Sequence, residues 1–376
     1  MGPLAGVRVL EIGGIGPGPL AAMVLADLGA EVLRIDRPDE PSLIPPSSNL
    51  LHRGKRSAIV DLRHPDGADV IARLCRSADI VTEAHRPGVA ERLRIGPDDL
   101  LAVNPRLVYG RMTGWGQDGP AAHSAGHDIA YIAVTGALHA IGRAGGPPQV
   151  PLNLLGDFGA GSMFLVTGLL AALLEARASG RGQVVDVSIV DGTAALSTLV
   201  HGLMASGLWR DERGVNLLDT GAPFYDVYET SDGRHMAVGA LEPQFYAEFV
   251  RLLDAGPDLP DRADIAAWPH LRARFAEAFR TRTMAQWTEI FEGSDACVAP
   301  VLSLAEAPHH PQLAARGTFV TAHGVIQPAP APRFSRTPTS LGVPPAAPGE
   351  HTRAALSAWG IDEVPSLLDA GVIVQA

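Results

Sequence analysis

The sequence predicts an α/β protein, with a large parallel-sheet domain joined to a small α+β domain. Strand and helix signals alternate through the first third, which calls for a parallel sheet covered by helices on both faces. A connector with little periodicity, 207–223, separates this region from a hairpin signal at Ser231-Asp232-Gly233 and the helices after it. A length of 376 residues with 46% hydrophobic content suffices for two cores. The expected boundaries are 1–190 for the large domain, 191–224 for a linker and 225–305 for the small domain. Residues 306–376 form a return segment that completes the large one.

Each element follows from its local pattern. Val7–Ile12 is an apolar run ending at a Gly/Pro turn, hence a buried strand, with a helix near Leu20–Leu28 behind it. Glu31–Asp36 and Ser57–Asp61 are the next strands. A helix over Gly67–Ala78 leads to strands at Asp79–Thr82 and Leu107–Met112. Asp157 is placed as the N-cap of a long apolar helix that ends near Gly180 or Gly182. Its Gly- and Ala-rich run from Phe158 to Leu174 is short for a bilayer and reads as a buried helix. Gln183–Ile189 returns as a strand and Asp191–Ser206 as one helix. Tyr225–Glu229 and His235–Ala240 form the hairpin, followed by helices near Pro243–Leu253 and Arg272–Arg280. The Pro-rich stretch Gln327–Pro348 is extended, and a last helix lies near Thr352–Trp359.

Composition narrows the function. A net charge of −11 argues against general binding to nucleic acid or anionic membranes. Residues 1–100 nevertheless hold 12 basic against 14 acidic side chains, so this third can offer a locally positive site to an anionic ligand. Aromatics make up only 5%, so aliphatic cores are expected. Two cysteines, Cys75 and Cys297, far apart, make no disulfide framework; with no targeting pattern at residues 1–12, a cytoplasmic location is expected. His309-His310 is not read as a metal site, because adjacent histidines face different ways and a third ligand is lacking.

Three groups of residues carry candidate chemistry. Gly13-Gly14-Ile15-Gly16-Pro17-Gly18-Pro19, with Asp36 closing the next strand, superficially matches a dinucleotide fingerprint. The two prolines, however, remove amide donors that a pyrophosphate needs. Arg37, Arg53, Lys55, Arg56, Arg63 and Arg86 each stand near a strand-to-loop transition and are read together as a phosphate-binding group. His127, Asp157 and Glu242 each stand at the start of an expected helix. Spacing alone does not bring these three together.

At these residues the chain resembles the α-methylacyl-CoA racemase branch of the family III CoA-transferase superfamily. The likeness runs through Val9–Gly18, Val24–Pro38, Arg53–Leu62 and Arg86–Val89, then Arg111–Gln117, Ala125–Ile129 and Pro151–Leu154. It continues in Gly182–Val184, Gly221–Tyr225, Gly239–Tyr246 and Asp295–Val298. Gly126-His127-Asp128 and Glu242-Pro243-Gln244-Phe245-Tyr246 point to the racemase branch, since the transferases usually carry Phe or Tyr at position 127. The resemblance implies a Rossmann-like large domain, and a homodimer whose subunits interlock and share active sites. It makes His127 and Asp157 the paired acid and base, with Glu242 holding His127 across the dimer. Arg37, Val60, Asp61, Leu62, Arg63, Arg86, Gly126, Asp128, Ile129, Ala130 and Tyr131 are the substrate- and CoA-binding positions it implies. Ala130 and Thr220 depart from the usual Asn and Gly, which bears on acyl preference.

The implied reaction is inversion of the carbon next to an acyl-CoA thioester through an enolate, with two flanking groups exchanging protons. The Asp157 amide is expected to bind the enolate oxygen. No metal or organic cofactor is called for, CoA being part of the substrate, and neither nucleic acid nor membrane is an expected partner. The alternatives are a CoA-transferase using Asp157 as covalent nucleophile, and a catalytically silent CoA-binding protein.

Overall fold

The computed structural model describes residues 2–38, 44–256 and 258–376. The chain forms two compact units. The first comprises 1–135, 152–196 and 312–376; the second comprises 136–151 and 197–311. Residues 136–151 thus pack with the second unit, although the sequence reading kept them in the first.

The first unit is built on β1 (Arg8–Ile12), β2 (Glu31–Asp36), β3 (Lys55–Val60), β4 (Ile80–Glu83), β5 (Val108–Thr113) and β6 (Gln183–Ser188). All six run parallel in the spatial order β3-β2-β1-β4-β5-β6, and Ile373–Val374 adds a short antiparallel edge beside β3. This is the doubly wound strand order, whose ligand crevice lies beyond the carboxyl ends of β1 and β4, where the winding reverses. Side chains alternate between two buried faces. Leu10, Ile12, Leu33, Ile35 and Val60 join one core with the helices Gly67–Cys75 and Thr352–Ala358. Val9 and Val32 join the other with the helices Pro17–Asp27 and Met163–Ser179.

The second face also carries a buried ionic layer. Glu11, Arg34 and Ser57 are register partners on adjacent strands. Arg34 grips Asp36 through two nitrogens at 2.8 Å, and the Ser57 hydroxyl donates to the same carboxylate at 2.5 Å. The Lys55 ammonium donates to Glu11 at 2.7 Å and to the Pro19 carbonyl at 2.9 Å.

The long helix begins earlier than expected. Leu154–Ser162 is a π-helical stretch that continues into Met163–Ser179, and Asp157 lies inside it, where the sequence reading made it the cap. By length and composition Leu154–Ser179 could cross a membrane. Leu165, Leu169, Ala172 and Ala176 are buried in the core on the sheet face instead. The expected helix Asp191–Ser206 is two helices, Ile189–Leu196 and Thr198–Ala205, and the boundary between units falls at the break. Part of the Pro-rich stretch pairs, Val325–Pro328 forming an antiparallel hairpin with Phe319–Ala322.

In the second unit β7 (Tyr225–Glu229), β8 (His235–Gly239) and β9 (Val298–Pro300) make an antiparallel sheet in that order. The helices Pro243–Leu253, Trp268–Phe279 and Met284–Phe291 complete its core. That core mixes aromatic with aliphatic side chains. Tyr228 stacks on Phe279 at 5.2 Å, Phe249 meets Phe275 edge-on at 5.0 Å, and Trp287 packs on Phe279 at 5.3 Å. The few aromatics of the chain are concentrated here, which an overall percentage conceals.

Candidate active site

A cavity of about 350 Å³ opens at the crevice the strand order predicts, within the size range of small-molecule sites. Ile15, Gly16 and Pro17 after β1, Ala84–Pro87 after β4 and Thr113–Trp115 at the end of β5 form part of its wall. Gly126, His127 and Tyr131 supply another part, and Asp157 lies opposite Gly16.

Local structure explains these placements. His127 has extended backbone (φ −135°, ψ 171°) and caps the helix Asp128–Val134, so its ring stands exposed in the cavity while Asp128, the first helical residue, turns inward. The His127 ring makes no hydrogen bond among the described residues. Tyr131, one turn on, is buried with Trp115 edge-on at 4.8 Å. Glycine is obligatory on either side of that ring: a Cβ on Gly114 would lie 2.0 Å from it and one on Gly126 2.6 Å. Gly16 has φ +68°, and a Cβ there would come within 3.2 Å of an Asp157 carboxylate oxygen.

Asp157 is half-buried. Desolvation holds its carboxyl above the usual range, the nearby Asp128 carboxylate adds to that, and a 3.3 Å hydrogen bond from Asn153 and the charge of His127 oppose it. The Tyr131 hydroxyl is raised for a similar reason, burial first and then Asp157, with Arg86 pulling the other way. His127 and Asp157, whose carboxyl senses the His127 charge, therefore face one cavity. One is exposed and the other partly withdrawn from water. This suits proton exchange on a ligand between them.

The remaining predicted residues divide by strand end. Arg37 (exposed) follows β2, and Val60, Asp61, Leu62 and Arg63 close or follow β3. In a parallel sheet these share an edge with the cavity. The Val60 side chain itself is in the core, and Asp61 is held below the usual carboxylate range by the Arg63 backbone N–H and guanidinium. Arg86 is exposed and lines the cavity. Ile129 and Ala130 lie on the first turn after His127, and neither lines the cavity wall.

Two expectations are corrected. Arg53 and Lys55 do not form an anion site, since they stand at the amino end of β3, opposite the cavity edge. Arg53 is buried against Asp27 at 2.6 Å and Lys55 against Glu11, and Arg56 is exposed beside them. The Asp157 amide is not an open donor: its N–H already donates to Asp128 Oδ2 at 2.6 Å. The Asp128 side chain is buried and does not line the cavity. The dinucleotide reading loses its acid in the same way, because Asp36 is committed to Arg34 and Ser57.

Glu242 lies in the second unit, exposed, with extended backbone as the N-cap of the helix that Pro243 opens. Arg262 fixes this corner by bonding the Leu241 carbonyl and by packing its guanidinium over the Phe224 and Tyr246 rings at 4.3 and 4.6 Å. Neither Arg262 nor Asn153 was marked as functional by sequence. Asn153 stood inside a matching stretch, whereas Arg262 left no local signal.

Comparison with known proteins matches residues 4–352 to the CoA-transferase family III. The chain is 47% identical over 366 residues to α-methylacyl-CoA racemase of Mus musculus, covering 96% of this chain and 94% of that one. It is 45% identical to the Homo sapiens protein of that name, covering 95% and 93%. Succinyl-CoA:glutarate CoA-transferase of Mus musculus is 31% identical, with coverage of 100% and 91%. Among solved structures, a CAIB/BAIF family protein from Brucella suis superposes with a TM-score of 0.81 at 26% identity, covering 95% of this chain and 99% of its own.

Proposed function

Because the chain belongs to the CoA-transferase family III, we propose that it epimerises 2-methylacyl-CoA thioesters at the α-carbon, as an α-methylacyl-CoA racemase. The observation that carries the reading is the pairing of His127 and Asp157 on one cavity, joined to much higher identity with the racemases than with the transferase.

In one direction neutral His127 takes the α-proton from one face, and the C–H electrons move into the thioester carbonyl to give an enolate. Protonated Asp157 returns a proton to the opposite face, leaving His127 cationic and Asp157 ionised; the reverse direction restores both. The raised Asp157 carboxyl suits this role, because burial favours its protonated form. Each group is expected to supply about 10²–10⁴-fold. With the Asp157 amide committed to Asp128, the enolate oxygen needs a donor other than that amide. Arg37, Arg63 and Arg86, at the strand-exit edge, are assigned to the CoA phosphates, so that remote binding energy positions the reactive carbon. The chemistry needs neither metal nor organic cofactor. The two free thiols suit a reducing, cytoplasmic setting.

The reading includes a homodimer in which Glu242 of one subunit holds His127 of the other. Exposed Leu152, Leu154, Met163, Phe164 and Leu196 offer an apolar surface for such an assembly. Co-expressing inactive His127→Ala and Glu242→Ala chains tests it: with shared sites each mixed dimer keeps one intact site of two, so random pairing restores about a quarter of wild-type turnover overall, and no restoration rejects sharing.

The function itself is tested by α-deuterium uptake from heavy water into 2-methylacyl-CoA. Wild-type protein exchanges, and His127→Ala and Asp157→Ala do not while still binding CoA. CoA transfer between acids without exchange identifies a transferase, and binding with neither activity a silent CoA-binding protein.

A further inference from the structure

We infer that Asp128 is a positioning residue for the proton-transfer pair, its buried carboxylate fixing Asp157 through the Asp157 main-chain N–H rather than touching the ligand. The inference rests on the epimerase reading of the site and assigns Asp128 a role within it.

The geometry is specific. Asp128 is 7% exposed and does not line the cavity that its neighbours Gly126, His127 and Tyr131 line. One oxygen, Oδ2, accepts the Asp157 N–H at 2.6 Å, and the other, Oδ1, is buried with no partner among the described residues. The carboxylate occupies the space where residue 156 would carry a side chain, a Cβ on Gly156 coming within 2.4 Å of Oδ2. The helix that presents His127 is thereby tied to the π-helical stretch that carries Asp157. A misplacement of either reacting group by about 1 Å commonly costs on the order of 100-fold in rate.

The tie is also electrical. The groups facing Asp157 are Asn153 on its own stretch, Asp128 and His127 on the neighbouring element, and Tyr131; Arg86 and His85 line the same cavity. Of these, Asp128 favours a proton on Asp157, whereas the positive groups disfavour one. A neutral residue at 128 lets Asp157 release its proton at lower pH. An anionic side chain kept next to the acid with one oxygen unsatisfied is costly as packing, and its charge does for Asp157 what a neutral acceptor cannot.

The test uses the full-length protein and α-deuterium exchange into a 2-methylacyl-CoA across pH. Asp128→Asn keeps an oxygen for the Asp157 N–H and removes the charge. The expected result is a kcat lower by about 10- to 100-fold, a KM for the acyl-CoA within about twofold, and an acid limb moved to lower pH. Gly156→Ala, which pushes the carboxylate aside, is expected to lower kcat with KM unchanged, and it carries the test if Asp128→Asn does not fold. A raised KM with kcat and the acid limb unmoved overturns the inference and returns Asp128 to the ligand-binding set. Wild-type kcat and acid limb in both variants also overturn it. Wild-type protein without exchange on any 2-methylacyl-CoA rejects the epimerase reading, and this inference with it.

Discussion

Replacing Lys55 by Met separates a structural cation from a ligand-binding one. The ammonium is fully buried, 2.7 Å from Glu11, which is itself 2% exposed, so the substitution leaves a carboxylate sealed in the sheet without its counter-charge. Breaking a buried pair from one side costs about 3–5 kcal/mol. For a unit of roughly 245 residues, whose unfolding entropy is about 0.5 kcal/mol per kelvin, that lowers the melting midpoint by about 6–10 °C. Burial already pushes the Glu11 carboxyl up and the Lys55 ammonium down, and losing the ammonium pushes Glu11 further up. A carboxyl whose folded-state pKa lies above its unfolded value stabilises the fold below that pKa and loses the contribution as pH rises through it. The deficit of Lys55→Met is therefore larger at pH 8 than at pH 5. Glu11→Leu combined with Lys55→Met restores most of the loss, because an apolar pair replaces the ionic one. The assay is calorimetry of the three proteins at both pH values, with the KM for acyl-CoA measured alongside and expected within about twofold of wild type. A single mutant melting within 2 °C of wild type, or a KM raised tenfold, refutes the structural assignment.

Two further predictions follow from backbone geometry. Gly114→Ala drives a methyl into the Tyr131 ring, so it should cost about 1–3 kcal/mol of stability and lower kcat/KM at least tenfold; unchanged kinetics would show that Tyr131 does not shape the cavity. Thr220 has φ +77°, a genuine outlier for a β-branched residue, so Thr220→Gly should stabilise the second unit by about 1 kcal/mol after the entropy of glycine is subtracted, and a lower midpoint in calorimetry would contradict this.

The fold was legible where hydrophobic runs were bounded by turn residues. All six parallel strands fall within two residues of their expected limits at each end, and the hairpin around Asp232 is as predicted. What sequence missed depended on partners distant in the chain. The short strand Val298–Pro300 exists because β8 offers it an edge, and Ile373–Val374 because β3 does. The helix after β6 looked continuous because nothing in its periodicity registers the step at Ser197 from one packing unit to the next. The site was legible as a set of residue types and not as an arrangement. His127 and Asp128 are adjacent and both polar, yet a helix cap sends one into the cavity and the other beneath it. Arg53, Lys55 and Arg86 look alike in a list of cations, and only the direction of the strands tells which edge each occupies.

The glycine loop after β1 shows how a familiar pattern comes to serve a different chemistry. In a dinucleotide fold the turn is kept small so that a pyrophosphate approaches the helix amides, and prolines there would be harmful. Here Gly16 is small because a carboxylate lies 3.2 Å from where its Cβ would be, and that carboxylate belongs to Asp157. The prolines act through their carbonyls instead: Pro17 accepts the Ser162 hydroxyl at 2.8 Å, and Pro19 accepts the Lys55 ammonium at 2.9 Å. Ser162 also donates to the Asp157 carbonyl at 3.1 Å, so the loop and the π-helical stretch are bonded through one hydroxyl. The acid that would hold a ribose, Asp36, is turned into the sheet against Arg34. A loop that lost its amide donors has no reason to keep its glycines for phosphate, and it keeps Gly16 because the proton-carrying side chain is seated against it.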